Sequence, residues 1–529
     1  MRMRLITSSL SFDLLTLLLI GIILFYNYLK SKYNYWKERN VPYEEPNLIF
    51  GNFYDAFTFK RQITSFFHDQ YRKTNDKVFG LYVFQRPFLL LRDPELIKHV
   101  LVKDFNNFIP RSNSKSSNDP IGNKNLFSLK NVHHWRFMRS KMSPFFSSGK
   151  MRNVFGLLDT IGDQLTEHIK KHLNETIDIK DVSQKYTIDV IVSAAYGIEA
   201  NSFTNEKAAF SSIGKVIFTY SLKRSVELIS YFFAPLLVKL FNFKFFGDEA
   251  TQFFRSVFWT AIKERELNYV KRPDLIEALI ALKNKGTLED SPAVGDLGTM
   301  NNSKKLSSNK DTIKLEGDIL VAQAAVFFAA GFETSSLAIS FTLYFLSYNP
   351  EIQIKLRKEI QTVIARNGGK FTYDCLQDMK FLEACIKETL RMYPTLGFLD
   401  REAIDTYTFP GTNITIDKGT AVVISLEGLH RDSQYFENPD VYDPERFNEN
   451  NKINIVPFTF MPFGEGPRNC IGARFGKIST KIGLVHILKD FELETTKNPE
   501  PVIIDKRAVF LSPKGGINLK FRTGTVYVQ

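Results

Sequence analysis

The longest apolar run in the chain lies near its start. Residues 10–29 are apolar except for Ser11, Asp13, Thr16, Tyr26, Asn27 and Tyr28. About 20 apolar residues span a bilayer, so the run predicts a membrane-crossing helix at the short end of that range. It leads into Asn27-Tyr28-Leu29-Lys30. With no small-x-small cleavage site there, a retained anchor is favoured over a cleaved targeting peptide. A thin membrane such as the endoplasmic reticulum would suit it. Arg2 and Arg4 precede the run, whereas Lys30, Lys32, Lys37 and Arg39 follow it. That excess puts the body on the cytosolic side. Tyr26, Tyr28, Tyr33, Tyr35 and Trp36 are expected to form an aromatic belt there, and Pro42 and Pro46 a stiff hinge. Residues 1–39 are therefore read as anchor and flanks, and 40–529 as one body.

Within that body, residues 60–250 are mostly helical by their three- and four-residue apolar spacing, as in Ile161, Leu165, His168 and Ile169. A β-rich stretch covers 78–91. Residues 203–246 are crowded with Phe, which suits a core segment or a lid dipping into lipid. Residues 284–311 are polar and lack apolar period, as in a surface insertion. The clearest helix covers 314–348, stops at Asn349-Pro350, and is apolar almost all round from Ala322, which places it at the centre of the body. Glu333 lies inside it. A carboxylate in a buried helix is costly unless paired or functional, and that conflict marks a site. Helices follow at 351–366 and 373–391, short β-like segments at 396–399, 407–409 and 421–425, and a last helix at 471–491. The fold class is mainly α with small β-sheets.

Composition narrows the function. The chain has 529 residues with a formal net charge of +12, and its three cysteines, Cys375, Cys385 and Cys470, suit a reducing compartment rather than a disulfide framework. The basic residues are scattered and form no nucleic-acid motif, so no nucleic-acid partner is expected.

One segment concentrates the chemistry: Phe463-Gly464-Glu465-Gly466-Pro467-Arg468-Asn469-Cys470-Ile471-Gly472. Its glycines and proline impose a tight turn. A Cys just before a helix is expected to have a lowered pKa, because N–H groups and the helix dipole favour its thiolate. Gly472 leaves room for a flat ligand, and Arg468 can meet an anion beside it. The segment is a bed for a planar anionic cofactor with one sulfur ligand, which fits haem.

The pattern F-x-x-G-x-R-x-C-x-G resembles the haem-binding signature of cytochrome P450 enzymes, and the resemblance extends from about residue 40 onward. It implies that Cys470 binds the iron of haem b within a bed that includes Phe463 and Gly472. Glu388-Thr389-Leu390-Arg391 looks like the family's E-x-x-R, with Arg446 of Pro444-Glu445-Arg446-Phe447 as third partner in a fold-locking role. Ala330-Gly331-Phe332-Glu333-Thr334 resembles the oxygen-activation motif. There Gly331 opens space beside the iron, the Thr334 hydroxyl bonds the Ala330 carbonyl, and Glu333 and Thr334 hold the water that delivers protons. Trp135 and Arg139 look like the family's W-x-x-x-R, serving a haem propionate together with Arg401 and Arg468; Arg111 is a weaker candidate. The stretches 323–336 and 409–423 are similar to insect microsomal members that oxidise plant toxins and insecticides.

The resemblance implies a membrane-bound monooxygenase for apolar small molecules. No G-x-G-x-x-G stands between a strand and a helix, so electrons should come from a separate NADPH-dependent flavoprotein reductase, with cytochrome b5 as a further partner of the same membrane. Arg136, Lys141, Arg474 and Lys477 are candidates to meet its acidic face. Two rivals remain. A haem-thiolate isomerase or dehydratase would have a disrupted Glu-Thr pair, whereas Glu333-Thr334 is intact. A non-catalytic membrane-tethered haem protein would need no reductase.

Overall fold

The computed structural model describes residues 10–494 and 501–527, apart from 117, 206, 270, 271, 273 and 285–313. The polar insertion read at 284–311 therefore lies, except for Asn284, outside the described residues.

The anchor helix runs Leu10–Lys32. It lies in a helical stretch, Ser11–Glu38, that is long and apolar enough to cross a membrane. The aromatic belt is only partly as expected. Tyr26 and Tyr28 are exposed, but Trp36 is 0% exposed and Tyr33 is buried. Trp36 Nε1 donates to the Leu81 carbonyl at 3.0 Å. A Cβ on Gly80 would come within 2.6 Å of the indole, so only glycine admits that ring. The Tyr33 hydroxyl donates to the Leu48 carbonyl at 3.0 Å. The expected hinge is not free either: Gly80 N–H donates to the Pro42 carbonyl at 2.7 Å, so the segment joins a sheet edge. Backbone donors and acceptors left over on an edge strand recruit whatever extended chain passes them.

That sheet holds four strands in the order β1 (Val78–Val83), β2 (Arg86–Leu91), β7 (Ala421–Ser425), β4 (Phe398–Glu402). β1–β2 and β4–β7 are antiparallel and β2–β7 parallel. A second sheet joins β3 (Thr176–Asp178), β9 (Asn518–Thr523) and β8 (Phe491–Leu493), and a third pairs β5 (Tyr407–Thr408) with β6 (Thr415–Ile416).

Helices make up the rest. The central helix is Asp318–Tyr348, starting four residues later than its apolar pattern because Gly317, at φ 59°, sets its N-terminus. Its apolar window is 78% buried, so it is the core of the body and not a second span. It packs on the Ile179–Tyr196 helix and on the Ala473–Leu488 helix that follows Cys470. The helix expected over 373–391 is two, Cys375–Asp378 and Lys380–Met392, broken at Met379. The Phe-rich segment is mixed. Phe233 and Phe246 are buried, while Leu236, Leu240 and Phe241 on the Pro235–Phe241 helix are exposed.

The E-x-x-R pair lies at full burial on the Lys380–Met392 helix. Arg391 donates from Nε and Nη2 to the two Glu388 oxygens at 2.7 and 2.8 Å. Arg391 also donates to the His430 carbonyl at 2.9 Å, and Arg446 lies 3.4 Å from Glu388 Oε1. A buried charge pair with every atom engaged fixes one arrangement of its neighbours. Here it ties the helix to the chain that leads into the Cys470 loop.

Candidate active site

The Cys470 loop is shaped by its backbone. Gly464 and Gly466 have φ of 68° and 76°. A Cβ on Gly466 would lie 1.9 Å from the Leu101 carbonyl oxygen, so no side chain is possible there. Cys470 N–H donates to the Phe463 carbonyl at 2.8 Å, and Asn469 N–H to that of Gly466 at 3.1 Å. The helix begins three residues after the Cys, at Ala473, with Gly472 as its cap.

Cys470 faces a cavity of about 330 Å³. Trp135, Arg139, Arg401, Phe463, Arg468, Gly472 and Thr334 line the same cavity. The residues come from the Val132–Met142 helix, β4, the Cys470 loop and the central helix. Among the described residues, a Cβ on Gly472 would meet only Phe146 within 4 Å, at 3.8 Å, which leaves that wall flat. Burial pushes the Cys470 thiol up, while the Gly472 N–H and the Arg139 and Arg111 guanidiniums pull it down. The lowering expected from the helix end is thus outweighed by desolvation.

Charge on the cavity wall is one-sided. Arg111, Arg139, Arg401 and Arg468 all reach it. Asp400 offsets part of this, accepting from Arg111 Nη1 at 3.0 Å and from Ser112 N–H at 2.6 Å. Arg139 donates to the Asn469 carbonyl and side-chain oxygen at 2.8 and 2.7 Å. Arg468 donates to the Phe127 and Leu129 carbonyls at 2.9 and 3.0 Å and to that of Ile109, and its guanidinium lies 5.1 Å from the Trp135 ring. Arg401 donates to the Asp400 carbonyl at 2.7 Å, but its Nε, like that of Arg111, is buried without a partner. Burial and Arg111 push Arg401 down to about 9, and burial holds Arg468 well below its ordinary value. An anion at this wall would relieve both the desolvated charge and the orphaned donors.

Among the described residues no group of three His, Cys, Asp or Glu side chains could hold a metal ion. A metal facing Cys470 would therefore bring most of its ligands with it. The donor set fits haem: one sulfur, a flat wall, and guanidiniums for two carboxylates.

The central helix bends its chemistry two ways. Thr334 Oγ1 donates to the Ala330 carbonyl at 2.7 Å, as its spacing predicts. Gly331 also lines the cavity, yet a Cβ there would meet Ile191 at 2.8 Å, so the missing side chain admits that isoleucine as well. Glu333 is not on the cavity wall. It is 0% exposed, with both oxygens 3.0 Å from Lys180 Nζ. Gln184 Nε2 and the Tyr220 hydroxyl donate to it at 2.7 and 3.2 Å.

Sequence reasoning missed Lys180, Gln184, Tyr220 and Asp400. Lys180 and Gln184 are four apart on one helix, a spacing that surface helices also show, so no local signal marked them. Asp400 stood beside a predicted residue and was legible only as a neighbour. The aromatic wall formed by Phe146 and Phe327, stacked with centroids 5.1 Å apart, was likewise hidden among the chain's many Phe residues.

A lone thiol exposed to an apolar, guanidinium-rimmed cavity defines a pocket of the haem-thiolate class. The cytochrome P450 family model matches residues 41–521. The chain is 41% identical to Cytochrome P450 6k1 of Blattella germanica, over 98% of each chain. It is 38% identical to Cytochrome P450 6j1 of the same organism, over 94% of this chain and 95% of that one. It is 37% identical to Probable cytochrome P450 6g2 of Drosophila melanogaster, over 93% and 95% respectively. The chain belongs to the cytochrome P450 family and is a monooxygenase.

Proposed function

We propose that this monooxygenase is tethered to the endoplasmic reticulum membrane by residues 10–32, faces the cytosol, and oxidises apolar, ring-bearing small molecules such as xenobiotics. Its electrons would come from an NADPH-dependent flavoprotein reductase, with cytochrome b5 as a second donor. The observation that carries the reading is the convergence of Cys470, the guanidiniums and Thr334 on one largely apolar cavity. Haem, when bound, supplies the activation of dioxygen and the oxygen transfer.

The chain's own residues divide the remaining work. Cys470 supplies the thiolate ligand, and its loop shields the sulfur from bulk water. Arg139, Arg401 and Arg468, with Trp135 beneath Arg468, hold the propionate end; Arg111 joins them through Asp400. Phe463 and Gly472 flank the sulfur side. Phe218, Phe327 and Phe510 give the substrate end its apolar walls. Aromatic walls of this kind favour flat, poorly hydrated molecules. Thr334 leaves the Ala330 carbonyl bonded to its own side chain rather than to a backbone donor alone, which makes room for a proton-carrying water at the cavity wall. Glu333 stands one residue before it as a buried carboxylate that would resupply that proton.

Arg136 and Arg474 are exposed, and Lys141 and Lys477 half-exposed, which suits an acidic redox partner. Lys477 already lies 3.5 Å from Glu383, so the exposed arginines carry more of that attraction.

The test is the carbon monoxide difference spectrum of the reduced protein. A strongly red-shifted Soret band in wild type, lost in Cys470→Ser, is expected. A normal thiolate band in Cys470→Ser would overturn the ligand assignment.

A further inference from the structure

The Tyr220 hydroxyl belongs to the connection between the Ala209–Ile217 and Leu222–Phe233 helices, yet it reaches Glu333 of the central helix at 3.2 Å. The same connection carries Phe218, which lines the cavity. The Phe218 ring packs 5.6 Å from that of Phe332 and 5.4 Å from that of Phe510. Leu228, on the second helix, lines the cavity too. One short segment therefore touches the substrate space with one side chain and the buried carboxylate with another, two residues on.

Two residues span at most about 7 Å of chain, so a displacement of Phe218 has little backbone in which to be absorbed before Tyr220. Lys180 and Gln184 hold Glu333 from a different helix, Ile179–Tyr196. Tyr220 is the one partner of the carboxylate, among the hydrogen bonds described, that would leave with the lid.

We propose that Tyr220 is a positioning residue that ties Glu333 to the lid of the cavity, so that a molecule pressing on Phe218 also releases one donor from the carboxylate. The proposal rests on the reading of Glu333 as the proton-resupplying group. With the cavity empty, Glu333 has its full set of donors and stays turned from Thr334. With the cavity filled, it loses one and is freer to turn. Proton supply would then follow occupancy. Because coupling between two sites is reciprocal, removing the carboxylate's charge must also loosen the lid.

The test is hydrogen exchange of peptides covering residues 214–224 in the full-length, haem-loaded protein. Tyr220→Phe keeps the ring and removes only the hydroxyl. It should raise exchange there about tenfold, as should Glu333→Gln, and the double variant should exchange no faster than the faster single one. Because Glu333→Gln leaves Lys180 buried without its partner, the pair Glu333→Gln with Lys180→Met is measured beside it and should behave alike. Unchanged exchange in Tyr220→Phe, or additive effects in the double variant, would overturn the tie. A second readout is peroxide released per NADPH with purified reductase and no substrate. A freed carboxylate should lower it severalfold in Tyr220→Phe, because faster proton delivery carries more of the reduced oxygen on to water, and no fall there would overturn the link to proton supply. If Glu333→Gln leaves peroxide release unchanged while the exchange effects are non-additive, the tie stands and the proton role of Glu333 falls.

Discussion

Glu333 and Thr334 are consecutive in sequence, about 100° apart around the central helix, and only Thr334 lies on the cavity wall. The Thr334 hydroxyl donates to Ala330 at 2.7 Å, whereas Glu333 is wholly buried against Lys180. In this arrangement both carboxylate oxygens are engaged by Lys180, Gln184 and Tyr220 rather than by Thr334.

Thr334→Ala removes the hydroxyl without enlarging a side chain. The substrate-supported protein should keep its haem and consume NADPH at a comparable rate, but release several times more of it as peroxide. Peroxide and product quantified against NADPH check this. Tight coupling in the variant would refute the role given to Thr334.

Glu388→Gln would leave Arg391 at full burial without the one carboxylate that pairs with it among the described residues. Breaking a buried pair by removing one partner costs about 3–5 kcal/mol. The expected outcome is protein that expresses poorly and binds little haem. Thermal unfolding and haem content per chain measure it.

His430 gives a pH dependence. It is fully buried, its Nε2 accepts from the Met461 N–H at 3.1 Å, and burial with Arg391 nearby pushes it down from 6.5 to about 3. The folded protein keeps the ring neutral where the unfolded chain protonates it. Stability is therefore whole above pH 6.5 and falls as pH drops toward the folded value. Between pH 6.5 and about 5 this one group removes about 2 kcal/mol. Urea unfolding across that range should show a slope in wild type that is smaller by about one proton in His430→Asn, whatever the variant's absolute stability.

Truncation separates anchor from body. Removing residues 1–29 should free much of the protein from membranes and leave its unfolding temperature near that of the full chain. Removing residues 1–39 also takes Trp36 out of the pocket beneath Gly80. Deleting a buried aromatic of that size costs about 3–5 kcal/mol, so the longer truncation should melt well below the shorter one. Equal melting would mean that the indole contributes nothing.

The Cys470 loop was legible because its geometry demands particular residues at fixed spacing. The glycines at 464 and 466 are forced by backbone angle and by the Leu101 carbonyl, and those demands survive in sequence as a pattern. The central helix was legible from its unbroken apolar character. The direction in which Glu333 points was not, because it depends on Lys180, 153 residues away along the chain. Trp36 was misplaced for a similar reason. An aromatic residue beside an apolar helix reads as an interfacial anchor, and only the distant Gly80 shows that it belongs to the sheet. The pKa of Cys470 was also read from its local helix end, whereas burial by the whole fold sets its direction.

Trp36 and its neighbours carry a mechanical consequence. Leu29, in the last turns of the anchor helix, is buried, and Tyr35 and Arg39 grip the far corner at Thr420 and Asp417 with contacts of 2.9 and 2.6 Å. A swivel there would have let the body drift over the lipid in any pose. A clamped joint works instead as a keel. With residues 10–32 in a membrane as proposed, the tilt of the anchor would become the tilt of the body, and the exposed apolar residues of the Pro235–Phe241 helix would keep a set height and bearing relative to it.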